Sequence, residues 1–272
     1  MTSIALCQIP VDHDPSVNLG RVREALAAAA ARGSELAVFP EATLTRYGKR
    51  VSETAQPLDG PFVTGMAKAA RELGVAVVAG VFEPGGPGGA GGGRVHNTAV
   101  VIDGAGELVA AYRKIHLFDS FGARESEYVA PGATPVVAEV AGLRVGLITC
   151  YDVRFPELAR ALVDRGAEVF AVIAAWGSGP MKEEHWATLV RARAIENTMW
   201  TVAVGQAPNP SVSDAFGIGR SMLVDPLGVV RADLGPAPAV HVAQIDRELT
   251  ASTRLIVPSL EHRVLGVDTT VK

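Results

Sequence analysis

The sequence predicts an α/β protein built from two packed, mixed sheets with helices outside, and three observations carry that prediction. First, an alanine-rich helical pattern, a glycine break and an aliphatic strand recur together as EALAAAAARGSELAVF, MAKAARELGVAVVAGVF and LARALVDRGAEVFAVIAAW. Helices alternating with buried strands make layered α/β folds. Second, hairpin signals lie between and after these units, and adjacent hairpins exclude an all-parallel, doubly wound sheet. Third, no linker divides the 272 residues, whose 48% hydrophobic content suits one large core. The chain therefore reads as a single domain over residues 1–272.

Taken in order, SIALCQI opens the chain as a strand, with Cys7 in its middle as a small hydrophobe. ELAVF is a second strand, closed by Pro40, which cannot continue a sheet ladder. VAVVAGVF is a third, and VHNTAVVIDGAGELVAAY pairs two more around Asp103-Gly104-Ala105-Gly106. VVAEVAGLRVGLITC turns at Ala141-Gly142, and its second strand, Val145 to Thr149, delivers Cys150 at a carboxyl end. VFAVIAAW follows, then a helix from Met181 to Asn197 and a last hairpin around Asp225-Pro226-Leu227-Gly228. RGSELAVF matches RGAEVFAV, so the two halves share a plan. His185, Trp186, Arg191 and Arg193 read as packing and buried hydrogen bonding on their helix.

A formal net charge of −4 offers no electrostatic draw toward nucleic acid or an anionic membrane. The longest apolar runs are far shorter than the roughly 20 residues that span a bilayer. Two cysteines and six histidines without ligand spacing give no metal site. No secretory signal opens the sequence, so the expected location is the cytoplasm, with reduced thiols. The glycine-dense segment from Glu83 to Arg94 lacks the Lys-Ser/Thr of a phosphate loop and precedes a strand, so it reads as a loop. Small molecules remain as the expected partners, with no cofactor.

Three strand ends carry groups that can do chemistry: Glu41 in FPEATL, Lys114 in YRKIHLFD, and Cys150 in GLITCYDVRFPEL. Each also has a structural reading. A free cysteine often packs, a glutamate after proline can cap a turn, and a lysine among apolar residues can snorkel. Together they supply a thiol, a base for it, and a cation for a thiolate or an oxyanion. The Tyr151 backbone N–H, just past the thiol, is a second oxyanion donor. His116 reads as the residue that holds the lysine's loop.

These motifs, in this order and spacing, resemble the nitrilase superfamily of carbon–nitrogen hydrolases over nearly the whole chain, including HWATLVRARAIENTMW and GRSMLVDPLG. The resemblance implies an α-β-β-α sandwich, homodimers or higher homo-oligomers, and a Glu41–Lys114–Cys150 triad with Glu125 as an auxiliary. CYDVRFPEL is similar to the omega-amidase and deaminated-glutathione amidase branch; true nitrilases usually carry Trp-Glu after the cysteine, and carbamoylputrescine hydrolases Trp-Asp. The branch implies a cysteine amidase that releases ammonia from the omega-amide of a short carboxylic acid through a thioester. It also implies that Arg154 and Trp176 bind the substrate's remote end, against the alternative that Arg154 pairs with Asp152 or Glu157. Two departures stand out: Gly177 follows Trp176 where relatives often have proline, and Gly219-Arg220-Ser221 replaces a Gly-His-Ser-type stretch. The alternatives are a carbamoyl-amine hydrolase and a catalytically idle thiol protein that binds ligands or senses redox state. The apolar tail over about 255–272, with Leu255, Ile256, Val257, Leu260, Val264 and Leu265, is expected to cover a neighbouring subunit.

Overall fold

The computed structural model describes residues 1–85, 93–209 and 216–266. The middle of the glycine-dense segment, 86–92, and the last tail residues, 267–272, lie outside them. In chain order the first half comprises β1 (Thr2–Gln8), α1 (Pro15–Ala30), β2 (Leu36–Val38), α2 (Val51–Thr54), α3 (Pro61–Leu73), β3 (Ala76–Pro84), β4 (Val95–Ile102) and β5 (Leu108–Arg113). The second half comprises β6 (Val137–Val140), β7 (Leu143–Thr149), α4 (Pro156–Asp164), β8 (Val169–Ala174), α5 (Lys182–Asn197), β9 (Trp200–Gly205), β10 (Met222–Val224), β11 (Val230–Asp233), β12 (Ala239–Ile245), α6 (Arg247–Ile256) and α7 (Ser259–His262).

Two six-stranded mixed sheets result, ordered β12-β1-β2-β3-β4-β5 and β11-β10-β9-β8-β7-β6. The matched segments RGSELAVF and RGAEVFAV occupy equivalent places. β2 lies between parallel neighbours β1 and β3, as β8 does between β7 and β9. The shared plan read from the sequence is thus a shared topology.

Period-2 alternation divides each strand between two cores. From the first sheet, Ile4, Leu6, Val38, Val78 and Val101 join the core that also holds the second sheet and its helix residues Leu158, Leu162, Trp186 and Val190. The intervening Ala5, Cys7, Ala37, Val77 and Val100 pack instead with Val22 and Leu26 of α1 and with Phe62, Val63 and Met66 of α3. This is the expected α-β-β-α sandwich. All three expected hairpins form, and the β6–β7 turn places Ala141 at φ 50° and Gly142 at φ 69°, two successive left-handed residues that suit a tight hairpin.

α1 begins at an Asp14 cap, whose side chain accepts from the Ser16 N–H, with Pro15 as its first residue. α5 starts one residue later than expected because Met181 adopts φ 59° and stands outside the helix. The last elements leave apolar surface open: Leu255, Ile256, Val264 and Leu265 are 85%, 76%, 94% and 86% exposed in the single chain.

Candidate active site

The carboxyl ends of the central strands of both sheets meet. Glu41 follows β2 and Ala175 follows β8, and the Ala175 N–H donates to Glu41 Oε2 at 2.8 Å. The like strands of the two halves therefore touch at their ends, on a buried carboxylate. Glu41 Oε1 accepts from Asn97 Nδ2 at 2.7 Å and from Lys114 Nζ at 3.0 Å. Ala42 at φ 58° turns the chain sharply here, and the turn packs so closely on Gly80 that a Cβ there would lie 2.6 Å from Ala42 N and Glu41 Cα. Gly80 makes this close approach possible.

Lys114, 1% exposed, follows β5. Its ammonium donates to Glu125 Oε2 at 2.9 Å and Oε1 at 3.2 Å as well as to Glu41. Burial opposes its charge, but the carboxylates of Glu125 and Glu41 outweigh that and hold Lys114 well above the usual lysine range. Glu125 opens a short 3₁₀ turn, Glu125–Glu127, and also accepts from Asn97 Nδ2 at 3.2 Å and the Phe118 N–H at 2.6 Å. Two carboxylates, one ammonium and one amide thus form a closed, buried set.

Cys150 stands one residue past β7 with φ 51°, a left-handed conformation uncommon outside glycine and characteristic of strained functional turns. Burial first, and then the Glu41 carboxylate, push the Cys150 thiol well above its ordinary range; Lys114 offsets this only in part. The thiolate is therefore disfavoured, and it arises as the proton leaves for a base. Cys7, by contrast, is fully buried in β1 with its pKa raised by desolvation, the inert hydrophobe its mid-strand position implies.

Asp152 locks the thiol's loop to the ammonium's. Its Oδ2 accepts from Tyr112 Oη at 2.7 Å and the Thr149 N–H at 3.1 Å; its Oδ1 accepts from the His116 N–H at 3.0 Å and His116 Nδ1 at 2.7 Å. Tyr112 and His116 flank Lys114, so one carboxylate fixes Cys150 and Lys114 relative to each other. His116 holds its loop, as expected, and stacks on Phe155 at 3.7 Å between ring centroids.

Glu41, Lys114 and Cys150 open on a cavity of about 210 Å³ that is also lined by Tyr47, Phe118, Phe121, Tyr151, Trp176, Lys182 and Phe216. This is below the roughly 300–1,000 Å³ of drug-sized pockets, so the cavity suits a small molecule. The rim departs from the expected pattern for a visible reason: a Cβ on Gly177 would come within 3.1 Å of the Phe216 ring, which stacks on Tyr47 at 6.1 Å. Arg154 pairs with neither Asp152 nor Glu157. Its guanidinium donates to His185 Nδ1 at 3.3 Å and lies 5.1 Å from the Trp176 ring, set back from the cavity lining. Trp176 is on the lining, and its Nε1 donates to the Lys182 carbonyl at 2.9 Å.

Sequence reasoning missed three features: Asn97, which bridges the two glutamates; the Asp152 latch; and Lys182, which faces the cavity from the first residue of α5. Asn97 had a signal, a lone amide inside the apolar strand VHNTAVVI. Lys182 had none beyond its place at a helix start.

A sandwich with a thiol, a carboxylate and an ammonium at its joined strand ends has the architecture of the nitrilase-type hydrolases. The carbon–nitrogen hydrolase family matches residues 3–255, and the chain belongs to that family. It is 44% identical over 262 residues to a protein named only as a hydrolase in Mycobacterium tuberculosis, covering 92% of this chain and 91% of that one. It is 37% identical over 243 residues to the deaminated glutathione amidase of Escherichia coli O157:H7, covering 88% of each. Among solved structures, Saccharomyces cerevisiae Nit3, of branch 10 of the nitrilase superfamily, superimposes with a TM-score of 0.84 at 27% identity, covering 94% of each chain.

Proposed function

We propose that this carbon–nitrogen hydrolase is a cysteine amidase that converts the omega-amide of a short carboxylic acid to the acid and ammonia. The observation that carries the reading is Glu41: 1% exposed, hydrogen-bonded to Lys114, and beside the thiol of a strained cavity residue. A base so placed takes the Cys150 proton as Sγ bonds to the amide carbon. Lys114 and the Tyr151 N–H stabilise the oxyanion that forms. As the C–N bond breaks, Glu41 returns the proton to the departing nitrogen and ammonia leaves a thioester. Water then attacks the thioester carbon, Glu41 takes its proton, and collapse expels the Cys150 sulfur, which recovers that proton. Glu125 positions Lys114 by accepting from its ammonium with both carboxylate oxygens.

The test is an ammonia-release screen over short omega-amides, carbamoyl amines and nitriles, with carbon dioxide measured alongside. Ammonia with equimolar acid and no carbon dioxide is expected from amides. Carbon dioxide with ammonia from a carbamoyl compound as the preferred substrate would replace this reading with carbamoyl hydrolysis, and thiol-dependent binding with no turnover would replace it with an idle protein.

The same proposal includes a homodimer in which the tail from residue 255 covers a second subunit. The exposed Leu255, Ile256, Val264 and Leu265 support it, since large apolar side chains left this open near one end of the chain suit an interaction surface. Light scattering at micromolar concentration should give twice the 28.3 kDa chain mass or a multiple of it, and a monomer mass would contradict it.

A further inference from the structure

Lys182 breaks several local rules at once. It is 8% exposed, yet among the described residues its ammonium has no carboxylate partner and no hydrogen bond. Three rings lie close to it: Nζ is 4.3 Å from the centroid of Phe121, 4.8 Å from Phe118 and 5.2 Å from Trp176. It is the first residue of α5, where unpaired backbone N–H groups already make the local potential positive. The Arg154 guanidinium lies over the same Trp176 ring, and the adjacent Glu183 is turned toward Arg220, 3.7 Å away. Burial, joined by Arg154, lowers the Lys182 pKa from the ordinary lysine range, with Cys150 acting in the opposite direction. Aromatic faces compensate a cation only in part. Nevertheless the residue is held in place, because Trp176 Nε1 is bonded to its carbonyl. A largely buried side chain whose unpaired cation faces a cavity is a group waiting for an anion, and rule-breaking of this kind belongs to functional sites.

We propose that Lys182 is the anchor for the anionic end of the substrate, so that the cavity selects amides bearing a carboxylate a short chain away from the scissile bond. This rests on the amidase reading and adds the residue that would set its preference. Cys150 and Lys182 line one cavity of about 210 Å³, which limits the separation of the two ends to a short chain. Lys182 then acts as a specificity residue, with Arg154, which is not among the lining residues, contributing field rather than contact.

Two measurements decide it. In a Cys150→Ala background, succinate and succinamate binding is followed by calorimetry with Lys182 intact and with Lys182→Met or Lys182→Gln, each checked for native circular dichroism. A charge-assisted contact predicts a loss of roughly 10- to 150-fold in affinity. In the active enzyme, the ratio of kcat/KM for succinamate to that for neutral butyramide should fall by a similar factor in Lys182→Met and recover in part in Lys182→Arg. Failure of the Cys150→Ala protein to bind either carboxylate, an unchanged affinity or ratio without Lys182, or a collapse of the ratio in Arg154→Met alone would overturn the assignment. If the wild type hydrolyses no amide, the amidase reading fails, and the calorimetric comparison still decides whether Lys182 binds the anion.

Discussion

On one wall of the cavity the Lys114 ammonium meets two carboxylates, whereas on another the Lys182 ammonium meets three aromatic rings and, among the described residues, no acid. Both are buried and stand on walls of one cavity. Where charge must stay fixed through a reaction, it is neutralised and bonded on every side. Where charge is to meet a ligand, it is left uncompensated, and the fold carries the cost. The backbone links the two: the Phe118 N–H is held by Glu125 while its ring contacts Lys182.

The proposed reaction makes the cluster around Lys114 the place where substitutions act most strongly. Replacing Cys150 with alanine should abolish ammonia release, and replacing Cys7 with alanine should leave it intact; the opposite outcome would move the nucleophile. Glu41→Gln retains the shape but not the base, so kcat should fall on the order of 10²- to 10⁴-fold. Iodoacetamide should label Cys150 before Cys7. In Glu41→Gln that labelling should quicken below about pH 8.5, because the carboxylate that raises the Cys150 pKa is gone. Since burial and Glu41 raise the Cys150 pKa, labelling in the wild type should still be accelerating above about pH 8.5, where an ordinary thiol is half ionised. A plateau there would mean that the thiolate is not suppressed.

Stability sharpens the contrast. Lys114→Met strands two buried carboxylates and should cost about 3–5 kcal/mol in denaturant unfolding. Lys182→Met removes an uncompensated cation and should leave the midpoint unchanged or raise it, as expected where function is held at the expense of stability. Equal losses for the two would erase the distinction. A smaller effect is expected at Asp152. Asp152→Asn keeps the side-chain size but turns one acceptor into a donor, which should lower stability by roughly 1–3 kcal/mol and loosen Cys150 against Lys114.

Much of this was legible in the sequence, unevenly. Strand ends are marked by breakers, so Glu41 after Pro40 and Cys150 after Thr149 announced their places, and the hairpins around Asp103 and Gly142 fixed the mixed sheets. Glu125 came only with the family resemblance, because a glutamate in a short 3₁₀ turn has no periodic signal. The Asp152 latch joins residues 36 and 40 positions apart, a pairing set by the packing of two sheets that local patterns do not encode. Lys182 was hidden for a related reason: GPMKEEHW reads as an ordinary polar helix start, and only the left-handed Met181 and the Trp176 bond to the Lys182 carbonyl bring that start to the cavity. Arg154, singled out by resemblance, is not among the lining residues, and its guanidinium lies 5.1 Å from the Trp176 ring.

The central claim is that Cys150 carries the acyl group between loss of ammonia and attack by water. Chemical quench of the enzyme during turnover of succinamate, followed by peptide mass spectrometry, tests it directly. The account predicts an acyl adduct on the Cys150 peptide that is absent from Cys150→Ala and accumulates when hydrolysis is slowed. An adduct on another residue, or ammonia release by Cys150→Ala at the wild-type rate, would contradict it.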